Sequence, residues 1–146
     1  MALVALLGVV AQACGAEKSM KVYRADSKEV RWVGRVDVAP EGEVRFDWSG
    51  TYAEFLFCGS RLEMTASDSG LNYFNVIVDG RQHAIVKTEG KEPQKVVLFE
   101  GDGGTYLVRL QRRTEGFNGL STIYSFATDG VLVEGQNLAK GRHIEF

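Results

Sequence analysis

Short runs of aromatic and β-branched residues, broken by Gly, Asp and Asn at intervals of roughly eight to fourteen residues, fill the chain from about residue 21 onward. That spacing leaves no room for long helices and predicts an all-β domain, an antiparallel β-sandwich or jelly roll. In "VRFDWSG", Val44, Phe46 and Trp48 alternate with Arg45 and Asp47, so one face is apolar and the other wet. Trp48 is accordingly expected in the core. In "RLEMTAS", Leu62, Met64 and Ala66 repeat the pattern. The segment "NYFNVIVDGR" places Phe74, Val76 and Val78 on one face and then supplies Asp79-Gly80, a two-residue hairpin signal. "QKVVLFEGDGGTYLVRLQRR" reads as two strands around a turn at Gly101 to Gly104, and "STIYSFATDGVLVEG" as two more around Asp129-Gly130.

At 146 residues the chain has the size of one domain and can bury a core without staples. A net charge of -2 and 25% charged residues make nucleic acid an unexpected partner. Residues 2 to 14, "ALVALLGVVAQAC", are too short to span a bilayer and end in small residues, as an export leader does. The ending also resembles a bacterial lipobox, which makes Cys14 a lipidation candidate. The organisation expected is a leader over 1–20, a sandwich over 21–135, and a segment over 136–146 whose polar stretch gives way to an apolar ending. The expected localisation is export: periplasmic, outer-membrane lipoprotein or secreted, with membrane contact only through a lipid anchor. Cys58, in "FLFCGS", is expected to be a lone core cysteine, with no disulfide framework and no metal-ligand spacing.

Enzymatic signatures are weak. No G-x-S-x-G elbow occurs, the histidines are His83 and His143 alone, and no Ser-His-Asp order can be assigned. Asp37, Asp47, Glu54 and Glu63 could supply a glycosidase pair in principle, but carboxylates on strands ordinarily face solvent. "GDGGTY" lacks the following helix that a phosphate loop needs, so it reads as a turn. Trp32, Trp48, Tyr52, Tyr73 and Phe117 could stack on sugar rings; of these, Tyr73 and Phe117 lie near turn residues and are expected to be exposed. "LQRRTEGFNG" is the densest polar cluster, carrying Arg112, Arg113, Thr114, Glu115 and Asn118. Exposed ion pairs stabilise by less than about 1 kcal/mol, so the cluster is either a solvated strand end or a surface that docks another domain.

Taken together, "VRFDWSGTYAEFLFCGSRLEM", "NYFNVIVDG", "LQRRTEGFNG" and the terminal "HIEF" resemble the N-terminal jelly-roll domain of carbohydrate esterase family two, the acetylxylan esterase type. The resemblance covers about residues 30 to 146. In that family an SGNH-type hydrolase domain follows, and its first strand reads like Arg142, Ile144, Glu145 and Phe146 before a Gly-Asp-Ser that carries the nucleophile. The resemblance therefore implies that residues 136–146 are a linker and the first strand of that hydrolase domain. It implies a noncatalytic module that needs no cofactor and supports a deacetylating partner domain acting on acetylated plant polysaccharide. The catalytic serine and its partners are not among these residues. The domain-interface or substrate-wall residues expected are Arg113, Thr114, Glu115, Gly116 and Asn118, with Asp47 and Trp48 as weaker members. The alternative is a free-standing carbohydrate-binding or cell-surface interaction module.

Overall fold

A computed structural model of the chain describes residues 19–133. The leader with Cys14, the linker and His143 to Phe146 lie outside the described residues. The strands are β1 (Lys21–Arg24), β2 (Arg31–Val33), β3 (Asp37–Val38), β4 (Val44–Phe46), β5 (Tyr52–Asp68), β6 (Leu71–Val78), β7 (Arg81–Glu89), β8 (Gln94–Arg112), β9 (Ser121–Thr128) and β10 (Val131–Val133). A single 3-10 turn, Gly116–Asn118, precedes β9.

β5 and β8 are long enough to serve both layers of the sandwich. The first part of β5 pairs with β2 and β10 on one side and with the last part of β8 on the other, and β8 continues to β6 and β7. The last part of β5 pairs with β9, which carries β1 and β4, and β3 lies against β4. All of these pairings are antiparallel, as the sequence pattern predicts. Rings from the two layers meet inside: Phe46 lies 5.8 Å from Phe74, and Phe55 lies 5.0 Å from Phe126, centroid to centroid. Around them Leu62, Met64, Val76, Leu110 and Ile123 are sealed from solvent. Burial of such side chains contributes about 1.5–3 kcal/mol each, which holds the layers face to face.

The layers join at a corner. Gly59 faces Gly104 and Arg61 faces Glu100, so Ser60 alone stands opposite Gly101, Asp102 and Gly103. This corrects the turn expected at Gly101 to Gly104. The glycines form a bulge inside one continuous strand rather than a reversal between two. The Tyr106 hydroxyl donates to the Asp102 carbonyl at 2.7 Å and ties the bulge down.

Asp129-Gly130 crosses the same corner from the other side. Thr128 pairs with Leu62 and Val131 with Cys58, so β9 and β10 run along one edge of β5 with the dipeptide between them. The Asp129 carboxylate accepts the backbone N–H of Ser60 at 2.9 Å and of Arg61 at 3.1 Å, and also the Ser60 hydroxyl. Burial pushes this carboxyl up, but the Ser60 and Arg61 hydrogen bonds outweigh it and hold Asp129 below its ordinary value of 3.8. A Cβ at Gly130 would lie 1.8 Å from the Cys58 carbonyl oxygen, so only glycine fits there. At the far tip, Asp79 (φ 52) and Gly80 (φ 81) make the reversal between β6 and β7 that Asp-Gly predicts.

Candidate functional site

Because β5 and β8 fold over at the corner, their free ends return to one mouth of the sandwich. Arg112, at the end of β8, is 1% exposed. Its Nε donates to the Thr114 carbonyl (3.0 Å), Nη1 to the Phe46 carbonyl (3.1 Å) and Ser121 Oγ (2.9 Å), and Nη2 to the carbonyls of Glu115 (3.0 Å) and Gly119 (2.7 Å). Asp68, at the end of β5, is its counterpart. It accepts from Gly70 N (3.1 Å), Asn72 Nδ2 (2.6 Å), Thr88 Oγ1 (2.7 Å) and Ser121 Oγ (2.7 Å). Ser121 thus bridges cation and anion. Burial pulls the Arg112 guanidinium below its ordinary value, opposed by the charges of Asp68, Asp47 and Glu115.

Neither reading of the "LQRRTEGFNG" cluster fits Arg112, which is not on the surface at all. It is the interior post around which residues 113–119 wrap. Thr114 is half-buried and donates to Asn72 Oδ1 at 2.5 Å, while the Tyr73 N–H reaches Thr114 Oγ1 at 3.4 Å. Asn118 is half-buried, and its carbonyl accepts from Asn72 Nδ2 at 3.3 Å. Arg113, Glu115 and Gly116 are exposed. The loop is pinned on both flanks: the Arg113 carbonyl accepts from Ser49 Oγ (3.4 Å), and the Leu120 N–H donates to Ser69 Oγ (2.7 Å).

Asp47 and Trp48 lie beside this loop, with the Asp47 carbonyl 3.1 Å from where a Gly116 Cβ would stand. The core position expected for Trp48 is not found. β4 ends at Phe46, the alternation lapses, and the indole is 55% exposed with the Arg35 guanidinium 5.4 Å from its centre. Trp48 borders an open groove of about 470 Å³ formed with Val33, Gly34, Arg35, Ser49, Thr51 and Tyr52. Tyr73 is exposed as expected, and so are Leu71 and Leu120 at the same mouth. Trp32 is half-buried, packs on Phe46 at 5.3 Å and donates Nε1–H to the Ala25 carbonyl at 2.8 Å, so it is not a sugar platform.

The other chemical possibilities resolve into structural roles. Glu54 is buried rather than solvent-facing. It accepts from Arg109 Nη2 at 2.9 Å and lies 3.7 Å from Arg31, which leaves it paired. Glu63 is paired with Arg61 at 2.8 Å. His83 is exposed against the Phe99 ring at 5.0 Å, and among the described residues no serine bonds to it. No group of three or more His, Cys, Asp or Glu suited to a metal occurs among the described residues, and none of their helices is long and apolar enough to cross a membrane. The lone core thiol expected at Cys58 is also corrected: Cys58 is disulfide-bonded. Its side chain is on the half-exposed side of β5, alternate to Phe55 and Phe57, where a thiol can meet a partner.

Comparison with known proteins agrees with this architecture. Residues 32–134, more than half of the chain, match the family described as Carbohydrate esterase 2 N-terminal. A family two carbohydrate esterase from Cellvibrio japonicus superposes with a TM-score of 0.70 at 23% identity, over 79% of this chain and 35% of that one. A family two carbohydrate esterase from Clostridium thermocellum, solved in complex with cellohexaose, gives 0.66 at 27% identity, over 71% and 32%. The chain thus spans about a third of the length of these esterases. The carbohydrate-binding module CBM36, solved with calcium and xylotriose, shares the fold at 0.58 and 13% identity, over 73% of this chain and 97% of the module. No curated protein sequence matches significantly. By its sequence and its sandwich, this chain belongs to the carbohydrate esterase 2 N-terminal family.

Proposed function

We propose that the chain is the noncatalytic N-terminal domain of an exported, acetylxylan-type carbohydrate esterase, and that its sandwich mouth packs against an SGNH-type hydrolase domain of the same polypeptide. The observation that carries this reading is the match over residues 32–134 to a family of N-terminal esterase domains. The mouth supports it physically. Arg113 and Glu115 project from a loop whose backbone is held by the buried Arg112, so their charges are presented in a fixed geometry. Charge-assisted hydrogen bonds from such groups orient a partner at low entropic cost. Thr114 and Asn118 hold the loop from beneath. Asp47 and Trp48 flank it as one wall of the substrate cleft of the complete esterase, whose substrate is acetylated plant polysaccharide.

The chain by itself should hydrolyse no acetyl ester, and the reading frame past Phe146 should continue into a Gly-Asp-Ser. In the complete protein, Arg113→Ala with Glu115→Ala should lower the unfolding midpoint of the hydrolase domain and its deacetylation of acetylated xylan. The folding of the isolated chain should be unaffected. Acetyl-ester hydrolysis by the purified 146-residue chain, abolished on replacing one of its own serines, would refute the proposal. A stop codon after Phe146 would favour the alternative, a free-standing carbohydrate-binding module. That reading has in its support the match along 97% of CBM36, which bears on fold alone.

A further inference from the structure

The Trp48 groove asks for a ligand of its own. Trp48 is 55% exposed and shares a groove with Val33 and Tyr52, and contiguous exposed apolar surface of this kind marks a binding site. Gly34, Ser49 and Gly50 leave room around the indole, and Val33 and Tyr52 complete a mainly apolar groove. A Cβ at Gly50 would meet nothing within 4 Å, which leaves that side of the groove open. Arg35 lies over the ring at 5.4 Å and limits its rotation, and Ser49 adds a hydroxyl beside it. The groove, at about 470 Å³, is within the range of small-molecule sites.

Tyr52 forms part of the groove wall. It is 5% exposed, and its buried hydroxyl has no hydrogen-bond partner among the described residues. Its ring is fixed under the Arg109 guanidinium, 4.1 Å from the centroid. A buried phenol without a partner is uncommon, and because the oxygen is sealed from solvent Tyr52 offers the groove its ring rather than its hydroxyl.

We infer that this groove holds a sugar ring of a neutral, β-linked pyranose chain, the C–H face of the ring stacking on Trp48 and its hydroxyls meeting Ser49 and Arg35. A flat plate with sparse polar groups at its edge suits a ligand that is apolar on one face and hydroxylated around its rim. The inference rests on the esterase reading only for the choice of polysaccharide, and it concerns binding by this domain alone.

The test is calorimetric titration of the 146-residue chain with xylohexaose and with cellohexaose, each up to roughly 10 mM. Saturable binding to at least one is expected, with Trp48→Ala weakening it roughly tenfold or more while the unfolding midpoint stays in place. Tyr52→Phe should leave binding unchanged and stability equal or slightly higher, because its hydroxyl has no internal partner to lose and does not open on the groove. Absence of saturable binding to both sugars, or equal affinity in Trp48→Ala, would overturn the inference. Association with the hydrolase domain, measured in parallel, separates the two claims. Unchanged association with no sugar binding sinks only the groove. Weakened association with unchanged sugar binding in Trp48→Ala moves the indole to the domain interface and also sinks the groove.

Discussion

The corner and the mouth of the sandwich solve the same problem, two long strands that must change layers, by opposite means. At the corner, Gly59, Gly101, Gly103 and Gly104 let β5 and β8 bend, and a single carboxylate, Asp129, collects the N–H groups of Ser60 and Arg61 that the bulge frees. At the mouth, a guanidinium and a carboxylate are buried, and the side chains of Asn72, Thr88 and Ser121 are spent on them, with Thr114 holding Asn72 in turn. Bending alone needs only local geometry, so the corner uses backbone freedom and one clamp. Fixing a surface loop in a defined shape requires interior anchorage. That difference gives the mouth, and not the corner, the surface loop of fixed shape that the proposed docking uses.

The comparison breaks most readily at Arg112. Arg112→Met keeps much of the apolar stem but leaves the Asp68 charge uncompensated, together with the carbonyls of Phe46, Glu115 and Gly119 that Arg112 satisfied. A loss of about 3–5 kcal/mol is expected in urea unfolding. Amide exchange should quicken through residues 113–119 before it does at the corner. If stability falls by less than about 1 kcal/mol, the mouth is not anchored from within.

Asp129→Asn tests the corner and should cost less, about 1–2 kcal/mol at neutral pH, since the amide oxygen still accepts one hydrogen bond. The carboxyl is held below its ordinary 3.8 in the folded chain, so it binds protons less readily than in the unfolded chain. Its contribution is therefore complete above 3.8 and is lost as pH falls from there through the still lower folded value. Wild type and Asp129→Asn should differ most near neutrality and converge on acidification. A gap that instead widens in acid would contradict the clamp.

How these regions read from sequence follows the same division. Alternation in Val44 and Phe46, in Leu62, Met64 and Ala66, and in Phe74 and Val76 marks the buried faces directly, because the strand period places every second side chain inward. Asp79-Gly80 is equally legible. "GDGGTY" misleads because glycine-rich stretches serve turns and bulges alike, and only the strand opposite, with Ser60 against three residues, decides between them. Trp48 misleads because alternation says nothing about where a strand stops. The buried network is invisible in sequence, since Asp68 in "ASDSGLN" looks like a turn residue and Arg112 like a solvated strand end. Their partners, Thr88 and Ser121, are distant in the chain and meet only after the fold-over. The surface candidates were found by their neighbours in sequence, and Arg113, Glu115 and Gly116 are exposed there because Arg112 is not.

The smallest effect expected separates fold from function within the mouth itself. Trp48→Ala removes an indole that is more than half in water and loses little besides its contact with Arg35, so stability should change by less than about 1 kcal/mol. Arg112 and Trp48 lie on either side of the same loop region, yet one is invisible to solvent and the other open to it. Thermal unfolding of the two variants side by side should therefore show a large shift for the first and almost none for the second. A Trp48→Ala chain destabilised as severely as Arg112→Met would mean that the indole supports the loop, and the exposed plate would then be part of the scaffold rather than a surface kept for a ligand.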